Sequence, residues 1–318
     1  MNKQQLSVDV CIATFKRPDL LLQTLTSLSA QQLENILMRI IVVDNDQKES
    51  ARNAVTAFEK SVPFEVIYDV EPIQSIPRVR NRAIRHVQAD YFAFLDDDET
   101  VSANWLVMKL ATLKKYSADV VFGPVIDILP SNAPQWAKKH SCFNRPRYPS
   151  GALMDCGSTG NVLMRRDALG QPPQEFDSAY DLTGGEDSDF FDRLHKAGKI
   201  MVWLDEAPAF ESVPPARVTV SWVCRRSFRG GQGAARKHVK IYTVARKVGW
   251  LIYKTIQLLA SLILIPLVCV VSYKSSIDLL CRVCSATGYL SIIIFGDACL
   301  YKEYDVRHYR QDSNEKIK

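Results

Sequence analysis

The alternation of two kinds of segment along the first 124 residues constrains the fold more than any other feature. Short β-branched and aromatic runs are separated there by stretches of helical spacing, such as Leu21, Leu25 and Leu28 after Pro18. The runs are VDVCIAT, RIIVVD, FEVIYDV, DYFAFLD and ADVVFG. Strands that alternate with helices form parallel sheets that are covered on both faces. We therefore predict an α/β fold with a mostly parallel sheet and helices on both of its faces.

Polar residues follow three of these runs at the point where each strand is predicted to end. Residues 14–17 (TFKR) follow the first run, residues 44–46 (DND) the second and residues 96–99 (DDDE) the fourth. In open α/β sheets, ligands bind beyond the carboxyl ends of the strands, where the strand order reverses. The sequence therefore predicts a ligand site built from these three segments.

The stretch FLDDDE, residues 94–99, places four carboxylates directly after an apolar run. Their mutual repulsion is relieved by a divalent cation, and hard oxygen ligands are those that Mg²⁺ or Mn²⁺ prefers. An acidic helix N-terminus, which the helix dipole favours, is the alternative interpretation.

A second structured block follows an irregular, loop-rich stretch over residues 125–155. It contains GSTGNVLMRRDAL, then GGEDSDFFDRLHKAG, then the strand-like IMVWLD. In the middle segment, Phe190, Phe191 and Leu194 share one face of a predicted helix that begins at Glu186 and Asp187. The two preceding glycines allow the backbone to approach a ligand closely.

The net charge of +5 conceals a segregation of charge along the chain. No acidic residue lies between Glu211 and Asp278, and this stretch holds the basic residues Arg217, Arg225, Arg226, Arg229, Arg236, Lys237, Lys240, Arg246, Lys247, Lys254 and Lys274. The arginines adjoin an apolar segment and lack interleaved base-stacking aromatic residues, which favours anionic lipid over nucleic acid as the partner.

Residues 255–273 contain no charge and are nearly long enough to cross a bilayer. A second apolar segment, over about residues 279–301, is interrupted by Arg282 and Asp297. A buried core helix is the alternative interpretation of the first segment. The N-terminus lacks the apolar region of a secretory signal and the eight cysteines show no framework of spacings, so we expect the body of the protein in a reducing cytosol.

Four motifs, in order over residues 7 to about 233, resemble glycosyltransferase family 2, whose members have the GT-A fold. These motifs are VCIATFKRPDLL, IIVVDND, RVRNRAIRHVQADYFAFLDDDE and GGEDSDFFDRLHKAG. FESVPPARVTVSW followed by RRSFRGG is most similar to bacterial exopolysaccharide enzymes, namely the β-glucosyltransferases of succinoglycan assembly. The family's processive members carry QxxRW, from which RRSFRGG departs, so single-sugar addition is expected.

The resemblance implies a nucleotide-sugar site with bound Mg²⁺ or Mn²⁺. The metal ligands would be Asp96 and Asp98, and the residues that bind the nucleotide sugar would be Thr14, Arg17, Asp44, Arg80, Asp97, Arg226 and Arg229. Asp44 has a turn-forming role as its alternative. Arg78, Arg82 and Arg85 crowd the stretch around Arg80, and an ordinary solvated helix face is the alternative there.

The same resemblance implies an inverting reaction, in which a carboxylate accepts the proton of the acceptor hydroxyl. Asp187 would be this base, Glu186 a supporting group and Glu211 a further ligand-proximal residue. The alternative is that Glu186 and Asp187 only favour a helix N-terminus.

These observations give an expected organisation and function. A GT-A domain occupies residues 1–235, a basic juxtamembrane segment 236–254, two apolar membrane helices, as a hairpin or a re-entrant pair, 255–301, and a polar tail 302–318. The protein would transfer a hexose, glucose from UDP-glucose, to a lipid-linked oligosaccharide, with its catalytic domain on the cytoplasmic side of the inner membrane. A nucleotide-sugar-binding protein without turnover and a nucleotidyltransferase are the competing interpretations.

Overall fold

A computed structural model of the chain describes residues 5–181 and 184–296. The described residues form two compact units. The sheet unit comprises residues up to 128 and residues 145–212, and the helical unit comprises residues 129–144 and those from 213 onward.

The sheet unit follows the predicted alternation of strands and helices. Its strands are β1 (Leu6–Thr14), β2 (Ile36–Asp44), β3 (Val66–Val70), β4 (Tyr91–Phe94), β5 (Glu99–Val101), β6 (Val120–Phe122), β7 (Val125–Ile128), β8 (Val162–Arg165), β9 (Met201–Trp203) and β10 (Ala209–Ser212). Its helices are α1 (Pro18–Ser29), α2 (Arg52–Glu59), α3 (Ile76–His86), α4 (Trp105–Lys115) and α6 (Glu186–Lys196). The five runs identified in the sequence correspond to β1, β2, β3, β4 and β6.

Seven strands form the main sheet in the order β3-β2-β1-β4-β8-β6-β9. The strand order reverses between β1 and β4, which pair in parallel, so the carboxyl ends of these two strands border the crevice where ligands bind. The prediction of a mostly parallel sheet is confirmed, with one exception. β8 runs antiparallel to both of its neighbours, β4 and β6.

Both faces of the main sheet are buried, as the apolar runs indicated. Along β1, Val8, Val10 and Ile12 belong to one core cluster, and Cys11 belongs to the cluster on the opposite face. This alternation follows from the two-residue period of a strand. Burial on both sides therefore explains the consecutive apolar residues within these runs.

A small second sheet has the order β5-β10-β7. β10 pairs antiparallel with β5 and parallel with β7, so that Glu211 lies opposite Glu99 and Asp127. The stretch over residues 125–155 is largely irregular, as predicted, except for β7 and a short helix, α5 (Gln135–Lys138).

The helical unit contains α5 and three long helices. These are α7 (Val220–Ile241), α8 (Val244–Val271) and α9 (Tyr273–Phe295). By length and composition, α8 and α9 are candidate membrane spans, with mean hydropathies of 2.2 and 1.6.

The compact units divide after Ser212, whereas the sequence placed the domain boundary at residue 235. α7 runs through residue 235 without interruption, and α8 begins at Val244, within the predicted basic segment. A helix propagates past a change in composition as long as its backbone hydrogen bonds continue. The predicted domain bounds stay a prediction. The predicted polar tail, residues 302–318, lies outside the described residues.

Candidate active site

The three polar segments predicted to form a site meet at the carboxyl edge of the main sheet. Thr14 ends β1, and its hydroxyl donates a hydrogen bond of 2.7 Å to Asp97 Oδ2. Leu95, which follows β4, donates its backbone N–H to Cys11 O at 3.2 Å. The ends of β1 and β4 are thereby joined side by side at the point where strand order reverses.

Arg17 lies against the acidic turn after β4, which comprises residues 96–99. Its Nη1 is 2.8 Å from Asp98 Oδ2 and 3.3 Å from Asp97 Oδ1. Asp98, the predicted metal ligand, is therefore balanced by a cation of the chain itself in this structure. Any ligand that engages Asp98 competes with Arg17 for the carboxylate.

Arg80 lies at the centre of a carboxylate cluster. It is buried on α3, and its Nη1 lies 2.7 Å from Glu186 Oε1 and 2.6 Å from Asp187 Oδ1. Its Nη2 is 3.9 Å from Asp96 Oδ1. One guanidinium therefore joins both residues at the start of α6 to the acidic turn after β4.

The other three arginines of α3 pair with carboxylates outside this cluster, so Arg80 is the arginine of α3 that faces the site. Arg78 Nε is 2.8 Å from Asp181, Arg82 Nε is 2.6 Å from Asp69, and Arg85 pairs with Glu175 at 3.2 Å. Because only Arg80 among the four is buried against the cluster, the interpretation of α3 as an ordinary solvated face does not apply to it.

Thr159 holds the second oxygen of Asp187. Its backbone N–H donates to Asp187 Oδ2 at 3.2 Å, and its hydroxyl lies 3.2 and 3.3 Å from Oδ2 and Oδ1. Thr159 reaches this position because β8 is antiparallel, so the residues before β8 lie at the same edge as the residues after β4. The carboxylate of Asp187 is thus oriented by α3 on one side and by the segment before β8 on the other.

Crowded negative charge raises the pKa values of carboxyl groups in the acidic turn. The Asp96 side chain is 49% exposed, yet loss of water and the neighbouring charges of Asp98, Asp187 and Glu211 raise its pKa to about 7 against the influence of Arg80. Burial raises the pKa of Asp97 to about 6, opposed by Arg17. These shifts follow from burial and from repulsion between neighbouring carboxylates.

Glu99 places an acceptor beside Asp96, and Gly160 packs closely against both side chains. Glu99 is buried; its Oε2 accepts the backbone N–H of Asp96 at 3.2 Å, and its Oε1 has no hydrogen-bond partner among the described residues. A Cβ on Gly160 would come within 2.7 Å of that oxygen and 3.5 Å of Asp96 Oδ2. Burial, followed by repulsion from Asp96, raises the pKa of Glu99 well above its usual value.

These features fit a hard divalent cation held jointly by protein and ligand. No three carboxylate, imidazole or thiol groups within residues 5–181 and 184–296 already converge as a complete metal site. Mg²⁺ is commonly held by one or two carboxylates together with phosphate oxygens of a substrate. The all-oxygen donor set and the unpartnered Glu99 Oε1, judged within the described residues, suit that arrangement, in which Asp96 and Asp98 would hold the cation.

Asp44 has a structural role in this conformation. It is fully buried, its Oδ1 accepts the backbone N–H of Asp46 at 2.9 Å, and its Oδ2 accepts from Ala51 N and the Tyr68 hydroxyl at 2.8 Å each. These bonds fix the turn after β2, which is the turn-forming role given above as the alternative for Asp44. Recognition of a nucleotide base by Asp44 stays a prediction.

Glu211 lies in β10, where it pairs with Arg145. Arg145 also lies 2.9 Å from Asp127, and the negative charge of Glu211 contributes to the raised pKa of Asp96. Glu211 is therefore close enough to influence the acidic turn, as a ligand-proximal residue would be.

Arg226 and Arg229 lie within α7 of the helical unit. The guanidinium of Arg226 stacks over the ring of Trp222 at 5.3 Å. A role for these two arginines toward the donor stays a prediction.

Sequence reasoning missed three contributors to the site. Thr159 sits in GSTGN, where paired glycines were the only signal of close packing. Arg145 lies in a stretch interpreted as irregular, so nothing marked it. Glu99 was noted only as part of the acidic run, because burial of a side chain at a strand end is set by tertiary packing.

Two sequence comparisons match the chain. Residues 9–171 match the model of a family described as Glycosyl transferase family 2. The succinoglycan biosynthesis protein ExoM of Rhizobium meliloti (strain 1021) is 37% identical over 240 residues, which cover 74% of this chain and 76% of that protein.

Two solved structures share the fold at low sequence identity. The mannosyltransferase PcManGT from Pyrobaculum calidifontis, in complex with GDP-Man and Mn²⁺, has a TM-score of 0.63 and 14% identity, covering 92% of this chain and 88% of that one. S. aureus TarS 1-349 in complex with UDP-GlcNAc has a TM-score of 0.54 and 12% identity, covering 91% and 92%. These two similarities establish a shared GT-A fold.

Proposed function

The chain belongs to glycosyltransferase family 2 and is related to a protein of succinoglycan biosynthesis, and from this premise we propose an inverting hexosyl transfer. The donor is a nucleotide sugar, UDP-glucose, and the acceptor is a lipid-linked saccharide of a cell-surface or exopolysaccharide pathway. The two solved structures of the same fold support the donor class, because they are complexes with GDP-Man and UDP-GlcNAc.

One observation carries the proposal. Arg80 joins Glu186 and Asp187 to the acidic turn after β4, through contacts of 2.7, 2.6 and 3.9 Å. A protein that only binds a nucleotide sugar has no need of an oriented carboxylate at the reacting centre. Transfer requires one close to the site of the leaving group.

In the proposed donor complex, the diphosphate lies at the carboxyl ends of β1 and β4. Asp96 and Asp98 would hold Mg²⁺ or Mn²⁺, which supplies positive charge to the diphosphate oxygens as the sugar departs. Thr14 fixes Asp97 toward the donor ribose. Arg17, released from Asp98, is available to phosphate oxygens as a planar, permanently charged donor.

In the proposed chemical step, Asp187 accepts the proton of the acceptor hydroxyl. The acceptor oxygen then attacks the anomeric carbon from the face opposite the diphosphate. The bond from that carbon to the diphosphate oxygen breaks, and the nucleoside diphosphate leaves with the electron pair. Arg80 and Thr159 orient the carboxylate, and Glu186 supports Arg80 from within the protein.

The remaining predicted residues complete the proposal. Arg226 and Arg229 approach the donor diphosphate when substrate is bound, Asp44 contacts the nucleotide, and Glu211 acts through its charge on the acidic turn. The departure of RRSFRGG from the QxxRW motif supports addition of one sugar per acceptor.

The proposed location is the inner membrane, with the catalytic domain facing the cytoplasm. Basic residues precede α8, and further basic residues occur beyond residue 301, which lie outside the described part of the chain. Positive residues are retained on the cytoplasmic side. A reporter that is active only in the cytosol should therefore work when fused at residue 318, and a reporter active only in the periplasm would contradict this topology.

A transfer assay tests the function directly. Membranes that contain the full chain are incubated with radiolabelled UDP-glucose, UDP-galactose, UDP-GlcNAc or GDP-mannose and with lipid-extracted acceptors. We expect label in the lipid fraction from UDP-glucose alone, and none with the Asp187→Asn variant. Label from another donor would overturn the assigned sugar, and donor binding without transfer would overturn the assigned activity.

A further inference from the structure

The surface of α8 is apolar along most of its length and is exposed. Only 11% of its most apolar 18-residue window is buried within the protein. Its outward side chains include Ile252, Ile256, Leu259, Leu262, Ile263, Leu267, Val270 and Val271. An apolar surface of this length on a soluble helix requires a partner.

The amino-terminal end of α8 has the composition of a membrane interface. Lys254 Nζ lies 5.8 Å from the ring centre of Trp250 and 5.5 Å from that of Tyr253, and the guanidinium of Arg246 lies 5.8 Å from that of Tyr242. Aromatic rings and cations gather at the level of lipid headgroups. The cations also complement anionic lipid, which selects a lipid surface over a protein groove as the occupant.

α9 differs from α8, because one side of it is buried against α7. A Cβ on Gly231 of α7 would lie 2.0 Å from Ser285 O, and a Cβ on Gly288 would lie 2.0 Å from Phe228 O. Polar contacts accompany this packing: Gln232 to Ser291 at 3.3 Å and His238 to the Tyr289 hydroxyl at 3.3 Å. The backbones of α7 and α9 are therefore in direct contact, and this close packing holds α9 against α7.

The arginines of α7 decide how the helices can meet a bilayer. α8 folds back along α9, with Ser272 between the two helices and Trp250 against Tyr289. If α8 and α9 crossed the membrane together, α7 would be carried into the hydrocarbon with Arg225, Arg226, Arg229 and Arg236. Charged side chains at that depth are costly, and each additional one adds to the cost.

We propose that α8 lies lengthwise in one leaflet of the membrane, whereas α7 and α9 remain on the aqueous side of it. The exposed face of α8 contacts acyl chains, and Arg246, Lys254 and the neighbouring aromatic residues contact anionic headgroups. The turn at Ser272 then stays on the same side of the membrane as the sheet unit. This inference rests on the membrane attachment in the proposed function, and it specifies how α8 is oriented in the membrane.

Cysteine labelling distinguishes the two geometries without any activity measurement. The test protein carries Tyr273→Cys, at an exposed position beside the turn, and Cys269→Ser, with native exposed Cys156 as the marker of the sheet unit. A membrane-impermeant maleimide is added to sealed vesicles of both orientations. We expect Cys156 and the introduced thiol to react in the same vesicles, and labelling in opposite vesicles would overturn the proposal.

A flotation assay tests the lipid face. Purified full chain is mixed with vesicles of phosphatidylcholine alone or with phosphatidylglycerol, and Ile263→Ser with Leu267→Ser is compared with the matched exposed pair Leu37→Ser and Leu153→Ser. We expect the α8 pair to lower vesicle binding roughly tenfold or more, the control pair to leave it unchanged, and phosphatidylglycerol to strengthen it. Equal binding by both pairs, or self-association without vesicle binding, would contradict a lipid-facing α8.

Neither experiment depends on which sugar is transferred. A protein that binds vesicles and labels as expected but transfers no hexose would contradict only the proposed function. A protein that transfers hexose but labels in opposite vesicles would contradict only the in-plane placement.

Discussion

The single buried positive charge of Arg80 forms ion pairs with three carboxylates, those of Asp96, Glu186 and Asp187. Two of them, Glu186 and Asp187, are neighbours in sequence, and repulsion from Asp187, after burial itself, raises the pKa of Glu186 against the effect of Arg80. Removal of a cation from such a cluster leaves uncompensated buried charge, which is more costly than loss of a surface pair. Arg80 is therefore as important for assembly of the site as for any contact with a ligand.

Asp187→Asn separates catalysis from binding. The amide keeps the shape of the side chain but does not accept the proton of the acceptor hydroxyl, so we expect kcat to fall roughly a hundredfold or more. Donor affinity, measured by calorimetry, should change little. A loss of affinity as large as the loss of rate would instead place Asp187 in donor binding.

Thr159→Val is the matched test of orientation. The variant removes the hydroxyl contact with Asp187 at 3.2 Å but keeps the backbone N–H bond at 3.2 Å. We expect a smaller fall in kcat, of about tenfold, with KM for the donor unchanged. Partial recovery in Thr159→Ser would confirm that the hydroxyl is responsible.

Asp98→Ala should abolish transfer while the fold persists, because the variant removes a proposed cation ligand and also a repulsive charge. The same loss should follow when excess EDTA is added to the unmodified protein. Circular dichroism provides the control for folding. Full transfer activity in either experiment would contradict the assignment of the cation to this turn.

The raised pKa values predict how a cation stabilises the protein as pH changes. The pKa of Asp96 rises from 3.8 to about 7, so between these values the folded state binds more protons than the unfolded state. The stability that protonation contributes is complete below about pH 4 and is lost as pH rises through about 7. Mn²⁺ competes with this proton, so we expect Mn²⁺ to raise Tm more at pH 8 than at pH 6.

Differential scanning fluorimetry with EDTA or Mn²⁺ at the two pH values measures this effect. Asp98→Ala should show little Mn²⁺ response at either pH. An equal rise in Tm at pH 6 and pH 8 in the unmodified protein would contradict competition between the cation and the proton.

At the scale of the elements, adjacent glycines of α7 offer a matched pair of substitutions. In the part of the chain that the structure describes, a Cβ on Gly230 would meet no atom within 4 Å, whereas one on Gly231 would lie 2.0 Å from the backbone oxygen of Ser285. Gly230→Ala should stabilise the protein by about 0.5–1 kcal/mol, because alanine is the better helix former. Gly231→Ala should destabilise it by about 1–3 kcal/mol, because α7 and α9 must separate.

Thermal unfolding of the full chain in detergent compares the two variants. The expected changes in Tm have opposite signs. A stabilising Gly231→Ala would mean that α9 does not pack against α7 at this point.

The elements show which parts of the structure the sequence could predict. The strands that precede the site are buried on both faces, so the sequence shows them as apolar runs that are followed by polar residues. The antiparallel direction of β8 was not visible, because a four-residue strand carries no mark of its direction. Thr159 was missed for the same reason, since only the direction of β8 brings it to Asp187.

α7 illustrates a second limit. RRSFRGG contains two glycines and three arginines, which as composition favours a loop or a surface element. In the structure it continues as a helix, because the face that includes Gly231 packs against α9. Helical stability there comes from tertiary packing, which sequence periodicity does not report.

At the scale of the molecule, truncation after residue 250 tests the division into units. The residues of the acidic turn and of Glu186 and Asp187 all belong to the sheet unit, so donor affinity should stay within about threefold. Membrane retention should be lost with α8. α7 should become sensitive to protease, because Gly231 and Val223 lose the cover of α9.

Vesicle sedimentation, calorimetry with the donor and limited proteolysis measure these three outcomes. The full chain is the control in each. The truncated chain keeps Arg226 and Arg229, which lie before residue 250, so a collapse of its donor affinity would contradict the placement of the donor site outside α8 and α9.

The ion pair between Arg80 and Asp187 also has a consequence for biosynthesis. The two residues are 107 positions apart in the chain, so the guanidinium leaves the ribosome long before Asp187 does. Domains generally fold in the order of synthesis, and distant contacts form late because closing a long loop costs entropy. A nascent chain that ends before α6 would contain β1 to β4 and Asp96 but would lack Glu186 and Asp187, the nearest partners of Arg80, so the reacting centre would be among the last parts of the sheet unit to mature.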